Sequence, residues 1–182
     1  MSFWTLTAVC LLVLLVQAFV IQIAALSALQ LALRVRWKAL VQLASLFAEA
    51  SAGRGTDLPP AADRLLEELR QFLGGGPSWQ NAAEVARLQS LLQRCFKQPE
   101  FCGDAHGELR NGWDAARFAA VLALRVENAC AAYDASVAAY EARRRVPWVE
   151  AVAGRMGYDV VEGMEWRSAT AESNVGSGRL SG

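Results

Sequence analysis

One histidine, His106, is all that 182 residues provide. A histidine-dependent nucleophile or general base would have to run through that single side chain, and no Gly-x-Ser-x-Gly elbow or Cys–His signature accompanies it. Net charge is missing too: 18 basic residues balance 18 acidic ones, which argues against nucleic acid or another polyanion as partner. The sequence GGGPS at 74–78 has no strand before it and no Gly-Lys after it, so it is not a phosphate-binding loop. Nothing alternates between apolar and polar residues across hairpin turns, and no period of solenoid length recurs, so β folds and repeat arrays are both excluded. The four cysteines contain no Cys-x-x-Cys pair.

Charge is absent most completely from Ser2 to Leu33, and the chain's apolar fraction of 54%, above the roughly 45–50% of soluble domains, is concentrated there. A helix of that length at about 1.5 Å per residue outruns the ~30 Å hydrocarbon core of a bilayer. The expectation is a single transmembrane helix over about Phe3 to Ala25, within an anchor segment 1–33. Trp4 marks its outer margin and Trp37, with Arg34, Arg36 and Lys38, its inner one. Gln17, Gln22 and Gln30 interrupt the apolar run and read as tolerated or facing a neighbouring helix. The small residues of Ala25-Leu26-Ser27-Ala28 suggest a signal-peptide cleavage site, but the basic n-region is missing and the run is too long. With basic residues only after the span, the positive-inside rule puts the N-terminus outside and the domain in the cytoplasm. Cysteines there are expected to be free thiols; with the opposite orientation, Cys95 and Cys102 could close a disulfide loop.

Beyond the anchor every periodic segment is helical. Leu33, Trp37, Leu40, Leu43 or Ala44, and Phe47 extend helix 1 to about Ser51. AGRGTDLPP breaks it, Pro60 opens helix 2 with Leu65, Leu66, Leu69, Phe72 and Leu73, and GGGPS ends that. Ser78 or Asn81 caps helix 3, whose stripe is Val85, Leu88, Leu91, Leu92, Cys95 and Phe96. After a loop from Gln98 to Gly112, helix 4 runs from about Trp113 to Arg145 with a coiled-coil-like seam of Leu122, Val126, Ala129, Tyr133, Val137 and Tyr140. These stripes can be buried only against each other, so the expected fold is all-α: an N-terminal transmembrane helix continuing into an antiparallel helical bundle, 34–163, with a flexible tail at 164–182.

Few constellations carry chemistry. Cys95, Cys102, Asp104 and His106 are zinc-ligand types in poor spacing, and no metal or cofactor is expected. Glu67, Glu68, Glu84 and Glu127 read as solvated faces or ion pairs at the bundle edge. Arg143, Arg144 and Arg145 complement the helix dipole at the end of helix 4. In an up-and-down bundle they also return beside the bilayer, on the side of Arg34, Arg36 and Lys38, where Trp148 on the short amphipathic segment after Pro147 can dock on the bundle or in the interface.

The segment Tyr133-Asp134, Val137, Tyr140-Glu141, Pro147 and Met156-Gly157-Tyr158 resembles the hallmark of the LemA family of bacterial membrane proteins. In that family it reads Tyr-Asn, a valine four residues after the tyrosine, a second Tyr-Asn at seven, then a proline and a final Phe-Gly-Phe. Arg125-Val126 is similar to its Arg-Ile, and Asp57-Leu58-Pro59-Pro60 to its Asp-Leu-Ile-Pro junction. Here both asparagines are acidic and the first aromatic of the last motif is Met156. The resemblance implies a non-enzymatic scaffold or interaction module of the bacterial inner membrane. One branch helps form the magnetosome membrane, so membrane organisation is the implied process. The implied partners are the lipid bilayer, proteins or a membrane complex, or further copies of the chain; an accessory subunit packing through its transmembrane helix is the rival expectation.

Overall fold

The structure, a computed structural model, describes residues 3–52, 58–98, 101, 115–164 and 166. Among them every regular element is a helix: α1 Phe3–Ala52, α2 Pro60–Gly74, α3 Ala82–Phe96, α4 Ala115–Arg144 and α5 Pro147–Ala153, with a 3-10 turn at Gly154–Met156. The expected loop with Cys102, Asp104 and His106, Trp113 and the last sixteen residues, 167–182, lie outside the described residues.

α1 is one unbroken rod with two environments. From Phe3 to Ala18 every side chain is exposed, Leu12 and Leu15 at 62% and 67%. Cover begins at Phe19, and from Leu26 onward a stripe of Leu33, Trp37, Leu40, Ala44 and Phe47 is buried at the helical interval. The N-terminal part is thus long and apolar enough to cross a bilayer, while the C-terminal part is a core element.

α2 and α3 form a hairpin on that core half. Pro59 and Pro60 start α2 with no side-chain cap, and the Pro59 carbonyl accepts from the amides of Ala62 and Asp63. The helix ends at Gly75, and Gly76 at φ +67° makes the left-handed turn. Asn81, one of the two expected caps, accepts from the Ala83 amide at 3.1 Å. Glu84 reaches back to accept from the Ser78 amide at 2.5 Å and the Asn81 side chain at 2.7 Å, fixing the turn that leads into α3. The hairpin is pinned to α1 where Trp37 Nε1 donates to the Pro77 carbonyl at 2.8 Å. It therefore stops at the height of Trp37, and its Leu65, Leu66, Leu69, Leu88, Leu91 and Leu92 fill the far half of the bundle.

α4 lies antiparallel to α1. Arg36 donates to the Ala132 carbonyl at 2.5 Å and to the Ser136 hydroxyl, and the Trp37 and Tyr133 rings meet with centroids 5.4 Å apart. Leu122, Val126, Tyr133, Val137 and Tyr140 are buried as the spacing requires, but Cys130, not Ala129, takes the fully buried place between them. Its heptad-neighbour Ala129 is only partly covered.

The expected domain end at Gly163 is too early. Met164 is fully buried, and the Trp166 ring meets Phe96 at 5.8 Å, within the aromatic cluster where Phe47 also contacts Phe96 and Phe101. Residues 157–164, with Trp166, form an extended strap that turns back along α4. It starts beside Ser27 of α1, beyond the short α2–α3 hairpin, and ends where Trp166 reaches Phe96 at the end of α3.

Candidate functional site

The strap is held by the residues that flank the two seam tyrosines. Tyr133 and Tyr140 point into the core, so the residue after each lies at the core's edge, one helical step round. From there Asp134 spans two strap amides: Oδ1 accepts from Met164 at 2.6 Å and Oδ2 from Trp166 at 2.7 Å. Glu141 accepts from the Val161 amide at 3.0 Å and pairs with the Arg144 guanidinium at 3.2 Å. The Tyr140 hydroxyl donates to the Asp159 carbonyl at 3.0 Å. The carboxylate acceptors make the bonds to Asp134 and Glu141 stronger than neutral backbone bonds.

Two glycines let the strap take this path. Gly157, at φ +78°, ends the 3-10 turn in the left-handed region, after which the Tyr158 amide bonds back to the Ala153 carbonyl at 2.9 Å. At Gly163 a Cβ would stand 3.1 Å from Asp134 Oδ1, so a larger residue requires the carboxylate to give by a few tenths of an ångström. Between them Tyr158 OH and Ser27 Oγ share a hydrogen bond of 2.5 Å, tying the strap to α1.

Buried groups here are kept un-ionised. Burial pushes the Cys95 thiol up to about 12 and raises the Cys130 thiol further, with Asp134 and Glu127 adding to the effect on Cys130. Burial likewise raises Tyr133, beside Asp134, and pushes Tyr140 up to about 12, with Glu141 as the second cause. Protonated thiols and phenols at neutral pH are packing and hydrogen-bonding groups, not nucleophiles or bases. Among the described residues no three His, Cys, Asp or Glu come together as metal ligands. Cys102, Asp104 and His106, the partners proposed for Cys95, are outside the described residues.

The residues expected at a bilayer margin divide into two groups. Trp37 is 3% exposed, bonded to Pro77 and stacked near Tyr133, so it is a core residue and not an interfacial anchor. Arg36 is engaged with α4 as described above. Arg34 and Lys38 are exposed beside it, and Trp4 is 79% exposed at the other end of α1. The second group lies elsewhere: Arg143, Arg144, Arg145 and Trp148 do not share the height of Arg34, Arg36 and Lys38. From Tyr133, which is opposite Trp37, Arg144 is eleven residues or about 16 Å further along α4, which brings it beside Leu26. The chain then turns into α5, where Trp148 meets Phe19 with ring centroids 5.9 Å apart. α5 docks on the bundle through Val149 and Ala153, both fully buried, while Trp148 and the following Met156 are 43% and 48% exposed.

Asp134, Glu141 and Gly163 were not among the expected site residues. Asp134 and Glu141 stand where the resembled hallmark has its two asparagines, each after a seam tyrosine, and no sequence signal marks Gly163. No family model, curated protein or solved structure matches the chain.

Proposed function

We propose that the chain is a single-pass membrane protein of the LemA type, with the helical bundle acting as a non-enzymatic scaffold or interaction module on the cytoplasmic face of the bacterial inner membrane, in the service of membrane organisation. The observation that carries the reading is the division of α1: its first sixteen described residues, Phe3 to Ala18, touch solvent on all sides, and the bundle begins immediately after them. An apolar stretch with no protein cover has the bilayer as its natural environment. The basic residues Arg34, Arg36 and Lys38 follow it, which favours a cytoplasmic bundle.

A rival reading, an accessory subunit packed through α1 in a larger complex, is favoured by one residue. Gln17 stands uncovered in the apolar stretch, and its amide gains from a partner helix that offers hydrogen bonds. Purification in mild detergent separates the two: the chain alone or as copies of itself supports the scaffold, and a stoichiometric set of other membrane subunits supports the accessory role. The anchor itself is tested by alkaline extraction, after which the full chain is expected in the membrane pellet. Release into the supernatant would remove the basis of both readings.

A further inference from the structure

We propose that the foot of the bundle, formed by the end of α4 and α5, docks on an anionic lipid surface, with Trp148 at the border of the hydrocarbon and Arg143, Arg145 and Arg155 among the headgroups. This rests on the membrane-anchor reading of α1 and adds to it a second attachment, made by residues more than a hundred positions later in the chain.

The first observation is where cover begins. The uncovered stretch and its margin, Phe3 to Val20, are eighteen residues, about 27 Å of helix, close to the ~30 Å hydrocarbon thickness. The protein surface that meets the end of this stretch is α5, because Trp148 packs on Phe19. A ring in that position is half against its own protein and half exposed, the arrangement that tryptophan adopts at a membrane boundary.

The second observation is charge. Arg145 has 73% of its side chain exposed although it lies 3.8 Å from Glu141, Arg155 is exposed and Arg143 half-buried, whereas Arg144 is covered and held closer to Glu141, at 3.2 Å. Over 143–156 four arginines stand against Glu150 alone, a local basic face suited to anionic headgroups, while Glu141, Asp159 and Glu162 balance them over 141–162 as a whole. Arg144 lies beside Leu26, seven residues or about 10 Å from Phe19, which leaves its neighbours within arginine reach of a headgroup layer about 5–8 Å thick. Arg34 is fifteen residues from Phe19, about 22 Å, and stands clear of that layer. The basic residues that orient α1 during insertion are therefore not those that face the lipid in the folded protein.

The test uses the full chain with Cys10→Ser and Cys102→Ser, carrying one nitroxide on a cysteine introduced by Leu12→Cys, Arg34→Cys, Trp148→Cys or Met156→Cys. Each is placed in lipid discs of phosphatidylcholine alone or mixed in equal parts with phosphatidylglycerol, and thermal unfolding confirms that the fold is kept. Collision with oxygen and with an aqueous nickel chelate reads depth. The label at 12 is expected in hydrocarbon, that at 34 in water, and those at 148 and 156 between them, several-fold less accessible to nickel in the anionic discs than in the neutral ones. Combined Arg143→Gln, Arg145→Gln and Arg155→Gln is expected to abolish that difference. Labels at 148 and 156 as wet as that at 34, with 12 still in hydrocarbon, overturn the docked foot and leave the anchor standing. Depth that ignores both the lipid charge and the arginines overturns the role given to the headgroups. A label at 12 in water overturns the anchor and the foot together.

Discussion

Tyr133 and Tyr140 lie seven residues apart on one face of α4, but only one of their hydroxyls is bonded. Tyr140 OH donates to the strap at Asp159, whereas Tyr133 OH is buried with no partner among the described residues. Tyr140→Phe is therefore expected to cost about 1 kcal/mol, and Tyr133→Phe to be neutral or stabilising because it removes an unsatisfied polar group. Thermal unfolding of the two variants, compared side by side, reads the contrast. Asp134 carries more: its two amide bonds make Asp134→Ala cost about 2–3 kcal/mol. Asp134→Asn, which keeps one acceptor but turns an NH2 donor towards an amide, should fall between wild type and alanine. Burial of the tyrosines was readable from their spacing. The strap was not, since an acid beside a seam residue has the same local pattern whether it meets water or a backbone amide thirty positions on. Trp37 shows a different ambiguity: it belongs both to the helical stripe Leu33, Trp37, Leu40 and to a Trp-plus-basic cluster typical of a bilayer margin. The two patterns coincide on one residue, and the core claims it.

Among the elements, those with a period and a cap came through from the sequence. α2 and α3 have Pro60, Asn81 and the intervening glycines to bound them, and five apolar positions each at helical spacing to bury. The strap has neither. Its buried residues Tyr158, Val161 and Met164 recur every three positions in an extended chain with no hydrogen-bond ladder, which resembles neither helix nor sheet. Its course depends on the turn that launches it, so Gly157→Ala is expected to destabilise by about 1 kcal/mol through the left-handed backbone alone, as no neighbour crowds the site. Gly163→Ala should be felt differently, by shifting the Asp134 carboxylate a few tenths of an ångström against its amide bonds. Hydrogen exchange separates the two: the first loosens the 3-10 turn and the whole strap, the second chiefly the Met164 and Trp166 amides.

For the whole molecule the buried thiols and phenols set a pH limit. Cys95 and Tyr140 have folded pKa values raised to about 12, above their ordinary 9.0 and 10.0. Above pH 9 the unfolded chain therefore loses protons that the folded chain retains, so the stability they contribute is complete below that pH and declines as pH rises towards 12. A denaturation midpoint flat near neutrality and falling through this range is the expected result, with Cys95→Ala and Cys130→Ala together making the fall shallower. The α1–α4 pairing has a consequence for biosynthesis. Trp37 and Tyr133 are 96 residues apart, so at ~5–20 residues per second α1 waits about 5–20 s on the ribosome before its partner face is made. During that interval only the α2–α3 hairpin, residues 60–96, is available to cover part of the stripe from Leu26 to Phe47, and its α4 side is bare. On the membrane-anchor reading, α1 is free to enter the bilayer before α4 is made, and the core is completed only after nearly all of the described chain has been translated.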